Sequence, residues 1–212
     1  MRKIVPLITA AIMVLSLASS VSAGELKATG GYSALADGDG NGTSFITGGL
    51  RYDADRFLVG GSYAMDLDYN PTPPLKNSDD LFLVYGGPRL LEAGPVKLTA
   101  VGGYYQWGSE VTDNLLTGAT LRTELHAAAL GVQASAALGP FGAELLYLKG
   151  LSNGLEQIVV NNDVDTSWLE LRGTVRLNED VRAYLAYHDL GYAAGETGDE
   201  LRGYGVGLTS VF

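Results

Sequence analysis

The stretch "YGVGLTSVF", Tyr204 to Phe212, decides the fold. In an extended chain successive side chains point to opposite faces. Tyr204, Val206, Leu208, Ser210 and Phe212 then share one face, and Gly205, Gly207, Thr209 and Val211 the other. The first face is bulky and apolar, the second small and mixed. Either a protein core or a lipid bilayer could cover such a face, so the reading depends on whether the rest of the chain repeats it.

It does. Period-two alternation runs through ten segments: 25–36, 44–53, 57–68, 79–91, 95–107, 122–138, 141–151, 166–177, 181–190 and 201–212. In the eighth, Leu169, Leu171, Gly173, Val175 and Leu177 oppose Trp168, Glu170, Arg172, Thr174 and Arg176. Pro88 interrupts the fourth. The sixth contains "LHAAALGVQASAAL", rich in alanine, which favours helix over strand. Gly139-Pro140 turns it directly into the next alternating run, so a strand is expected there too.

The connections alternate between two lengths. One set is short: Asp53-Ala54-Asp55-Arg56, Glu92-Ala93-Gly94, Gly139-Pro140 and Asn178-Glu179-Asp180. The other is longer and polar: 37–42, 70–78, 108–121, 152–165 and 191–200. Between antiparallel strands this places every tight turn, and both termini, at one end. The pattern predicts an all-β fold, a ten-stranded antiparallel up-and-down transmembrane β-barrel over residues 24–212. Aromatics cluster towards both strand ends, as interfacial girdles do: Tyr52, Phe57, Phe141 and Phe212 near the short turns, Tyr32, Tyr63, Tyr69, Tyr104, Tyr147, Tyr187, Tyr192 and Tyr204 near the long loops. A soluble lipocalin-like periplasmic binding barrel shares the alternation but would turn the apolar face inward.

The N-terminus adds a location. Met1-Arg2-Lys3 is a basic start, Ile4 to Leu17 is mostly apolar, and Val21-Ser22-Ala23 supplies small residues at a cleavage position. Residues 1–23 are therefore expected to be a cleaved signal peptide. Losing Arg2 and Lys3 takes the net charge from -10 to -12, which disfavours nucleic-acid binding, since phosphate contacts need clustered cations. Without cysteine the chain holds itself by packing and backbone pairing alone, and has no thiolate for metal or nucleophilic chemistry.

Joined to that leader, the last strand resembles the C-terminal assembly signal of Gram-negative outer-membrane β-barrels, in which alternating apolar residues end in an aromatic, usually Phe. Tyr204, Val206, Leu208 and Phe212 match, and Ser210 departs from it. The resemblance implies residence in the cell outer membrane with both termini periplasmic. It also implies contact with outer-membrane lipid and recognition by the barrel assembly machinery. A monomer is expected.

Chemistry is sparse in the sequence. His126 and His188 stand near outer strand ends in no metal-ligand spacing. Omptin proteases are also ten-stranded outer-membrane barrels, and use an acidic pair facing an Asp–His pair. Asp66, Asp68, His188 and Asp189 offer the residue types, but adjacent His188 and Asp189 point to opposite faces. Ser109, Ser152 and Ser167 have no histidine beside them in sequence. "DGDGNG" (37–42) begins like a calcium loop, yet its twelfth position is Gly48. No cofactor is implied. The acidic loops (Asp37, Asp39, Asp79, Asp80, Asp113, Asp163, Asp165, Glu196, Asp199, Glu200) are expected to bind divalent cations weakly at most and to repel anions.

Inward parity instead collects charge. Glu144, Glu170 and Arg172 are expected to form an ion-pair network, with Arg176, Arg182, Arg51, Lys27 and Lys97 as a basic zone nearer the short turns. Ten strands lie close to the eight whose interior side chains fill. The expectation is a structural or surface-interaction protein, or a narrow pore for a small solute, without catalysis.

Overall fold

A computed structural model describes residues 24–36, 42–67, 75–113, 120–156, 165–194 and 197–212. The expected signal peptide lies outside them, as do Asp68 and most of the loop 37–42. Ten antiparallel strands pair in chain order, and the first closes on the last. They are β1 (Gly24–Ala36), β2 (Gly42–Ala54), β3 (Phe57–Asp66), β4 (Leu75–Ala93), β5 (Val96–Asp113), β6 (Thr120–Leu138), β7 (Phe141–Glu156), β8 (Asp165–Arg176), β9 (Val181–Ala194) and β10 (Thr197–Val211). No helix among the described residues is long and apolar enough to cross a membrane.

The alanine-rich segment is strand β6, paired on both sides. Pairing overrides its helix propensity, because strands on both sides supply backbone partners along its length while Leu130 and Val132 supply an apolar outer face. The tight turns join the expected strands but are shorter than read: Asp53 and Ala54 belong to β2, and Glu92 and Ala93 to β4, because backbone pairing continues to the last residue before the turn. Gly94-Pro95 and Gly139-Pro140 each put glycine first, at φ 59° and 61°, and proline second, the order a II′ hairpin turn requires.

Several strands run beyond the segments read from the sequence. β5 continues to Asp113, β7 to Glu156 and β9 to Ala194. The long connections are correspondingly shorter than 108–121, 152–165 and 191–200. Backbone pairing needs only a neighbouring strand, so it persists past the apolar band where hydropathy loses its period. In β4, Pro88 does not end the strand. The register shifts just beyond it, between Arg89 and Leu91, and the bulge turns Glu92 to the inner face opposite Lys97.

The closing seam runs from Lys27–Val211 to Ala36–Arg202. Phe212 extends it: its N–H donates to the Leu26 carbonyl at 2.8 Å, and the Leu26 N–H returns to the Phe212 carbonyl at 3.2 Å. Tyr204, Val206, Leu208 and Phe212 all point outward, 52–75% exposed, while Thr209 is buried in the lumen. Leu130, Phe141, Leu171 and Leu185 continue this apolar exterior around the barrel. So much bulky apolar surface facing outward marks a membrane-embedded barrel. The lipocalin-like arrangement, with the apolar face inside, is not the one adopted.

Candidate functional site

The lumen is organised in tiers. Nearest the short turns, strands β1, β2, β4, β5 and β9 carry an alternating set of charges. Lys27 Nζ lies 2.8 Å from Glu25 and 3.7 Å from Asp53. Arg89 pairs with Asp53, and with Glu92 at 3.1 Å. Lys97 reaches Glu92 at 3.8 Å, and Arg182 reaches Glu25 at 3.9 Å. This tier is not the basic zone expected from the sequence. Glu25 and Asp53 share the inward parity of the lysines and arginines, and the β4 bulge adds Glu92. Arg176 is exposed at the rim.

At mid-height two ion pairs fill the lumen, one spanning it and one running along β8. Arg51 on β2 grips Glu144 on β7 through both terminal nitrogens, at 2.8 and 2.5 Å, the bidentate geometry that suits guanidinium and carboxylate. These strands lie on opposite walls, so the pair spans the barrel. Arg172 on β8 donates to Glu170 at 2.7 Å, sits directly across from Glu144 and lays its guanidinium 4.4 Å over the Tyr184 ring. The expected trio of Glu144, Glu170 and Arg172 thus meets at one level, with Arg51 as its fourth member rather than part of a separate zone.

Towards the long loops the lumen is apolar rather than uniformly polar. Leu35, Phe45, Leu81, Val101, Leu148 and Trp168 converge from six strands and are buried. Tyr105 stacks at a tilt on Trp168, centroids 6.0 Å apart, and its hydroxyl bonds Thr166.

Two cavities of about 50 Å³ remain, each with room for a few waters. One lies on the apolar side, lined by Leu35, Phe45, Trp168 and His188. The other lies on the charged side, lined by Lys27, Arg51, Glu144 and Arg182. Thr29, Ser62, Glu170 and Arg172 line both and mark the partition between them.

The histidines separate. His126 is on the outer face, stacked on Tyr104 at 6.4 Å. His188 points into the lumen, between Ser33 at 3.4 Å and Glu170 at 3.5 Å. Asp189 turns outward to Arg202 and Tyr187, so the Asp–His pair of the omptin pattern is not assembled. Asp66 accepts from Thr43 at 3.1 Å. Among the described residues no three His, Asp or Glu side chains stand together as metal ligands. Sequence reasoning missed Ser33. Its inward parity was legible, but its approach to His188 depends on closure of β1 onto β10, which adjacency in sequence does not show.

No family model matches the chain, and no curated protein matches it. Solved structures do. The outer membrane protease OmpT from Escherichia coli superposes with a TM-score of 0.58 at 10% identity, over 89% of this chain and 97% of that one. Ail, the attachment invasion locus protein of Yersinia pestis, gives 0.45 at 11% identity, over 90% and 100%. The transport unit of the autotransporter AIDA-I from Escherichia coli gives 0.44 at 13%, over 96% and 97%. At such identity the likeness to OmpT concerns the fold alone: this chain is a closed ten-stranded antiparallel barrel of the outer-membrane type.

Proposed function

We propose that the protein resides in the bacterial outer membrane, termini on the periplasmic side, as a plugged barrel with a structural or surface-interaction role. The observation that carries this reading is the partition. Arg51–Glu144 crosses the lumen from β2 to β7 and Arg172–Glu170 projects from β8 at the same level, with apolar packing above and paired charges below. A buried charge is held by pairing, so opening a passage here would part Arg51 from Glu144 and leave both charges unpaired. That argues against a general pore and also against the narrow-solute alternative. Contact with outer-membrane lipid would be made by the apolar exterior. The assembly machinery would read Tyr204, Val206, Leu208 and Phe212. Weak divalent-cation binding belongs to the acidic loops, and the working unit is a monomer.

The test is solute passage into proteoliposomes. Vesicles containing the folded protein should admit small sugars no faster than protein-free vesicles. Size-dependent entry of such sugars would refute the plugged reading and restore the narrow pore.

A further inference from the structure

Ser33, His188 and Glu170 stand in line on the apolar side of the partition. Ser33 Oγ is 3.4 Å from His188 Nε2, and His188 Nδ1 is 3.5 Å from Glu170 Oε2. Glu170 and His188 face each other directly across β8 and β9. Ser33 lies one strand further, on β1, where its partner across the seam is Gly205 of β10. A Cβ at position 205 would collide with Ser33 Oγ and come within 3.2 Å of His188 Nε2. The absence of a side chain there lets serine and histidine meet over the intervening strand.

The order of contacts is the one nucleophilic catalysis requires: hydroxyl on one ring nitrogen, carboxylate on the other. Arg172 holds Oε1 of Glu170 at 2.7 Å, leaving Oε2 to face the imidazole. Ser33 is buried, and the His188 side chain is 12% exposed. Trp168 and Arg172 line the same cavity. Their Nε1 and Nε atoms are buried and, among the described residues, find no acceptor. An unmet buried donor is costly.

We propose that this cavity is a hydrolytic site for small acyl esters, with Ser33 as nucleophile, His188 as general base and Glu170 as the residue that positions it. Contacts of 3.4 and 3.5 Å are longer than working hydrogen bonds and tighten when substrate is loaded. His188 Nε2 takes the Ser33 proton as Oγ bonds to the acyl carbon and the carbonyl π pair moves to its oxygen. Collapse breaks the carbon–alkoxy bond, and the leaving alcohol takes the proton from His188. Water then repeats the sequence, releasing the carboxylic acid and restoring Ser33. A cavity of about 50 Å³ takes a short acyl group, not a fatty chain. The activity goes beyond the plugged-barrel role, in which Glu170 and Arg172 serve as bulk and charge.

The full chain, folded in detergent, would be treated with methanesulfonyl fluoride and mapped by peptide mass spectrometry, and assayed separately for acetate release from methyl acetate. The expected result is a sulfonyl adduct on Ser33 in folded protein and none in boiled protein. Ester turnover should fall by roughly 100-fold in Ser33→Ala and in His188→Gln, with folding checked by heat-modified gel migration. Glu170→Gln should shift the pH profile of turnover rather than abolish it. No adduct on Ser33, an equal adduct in boiled protein, or undiminished turnover in folded Ser33→Ala would overturn the proposal. The adduct on wild-type protein decides the matter even if a variant does not fold.

Discussion

Two residues show how much of the site could be read one position at a time. Glu144 was legible as inward from parity, and it is, but its partner is Arg51, five strands away around the barrel. Parity gives a side chain's face; it does not give which far wall the side chain meets. The pair is mostly buried, and removing one member of a buried pair costs about 3–5 kcal/mol because the other charge is stranded. Glu144→Ala should therefore destabilise the folded barrel by about that amount, and adding Arg51→Met should recover part of it. Reversible urea unfolding in lipid vesicles measures both. If the double variant is no more stable than the single, the coupling assigned to this pair is wrong. Face assignment has its own residue-scale test. Leu208 faces out and Thr209 in. Leu208→Arg should cost about 2–4 kcal/mol if the position lies near the bilayer midplane. Thr209→Glu should cost less, because Arg182 lies directly across from it. A reversed order in the same unfolding measurement would show the parity to be inverted.

At the scale of the element, the number and direction of the strands were legible because alternation and turn residues repeat along the whole chain. Strand length was not, since a paired backbone carries no hydropathy signal above the apolar band. Nor was the inward turn of Glu92, because a bulge is a local change of register that a strict period of two reads through. The last strand carries the sharpest prediction at this scale. Phe212 contributes two backbone hydrogen bonds to the seam with β1 and an exposed ring on the lipid side. Deleting it should lower the yield of membrane-inserted, heat-modifiable protein at equal expression, because part of the closing edge is left unpaired. Wild-type yield from the truncated chain would remove Phe212 from the assembly signal.

For the molecule as a whole, closure brings together what the sequence keeps apart. Ser33 meets His188, Arg51 meets Glu144, and the ion pair on β8 joins Thr29 and Ser62 at the boundary between two cavities. The composition of the lumen follows from the same geometry. Each strand sends inward residues to every level, so charge towards one end and apolar bulk towards the other appear only when all ten strands are stacked in register. The central claim is that Glu170 and Arg172 close the lumen. Conductance across a planar bilayer tests it most directly, comparing wild type with the Glu170→Ala, Arg172→Ala double variant, each inserted as folded protein. The account predicts little steady conductance for wild type and a clear rise for the double variant, which loses the partition's bulk and pairing together. A steady wild-type channel, unchanged by the double replacement, would contradict it.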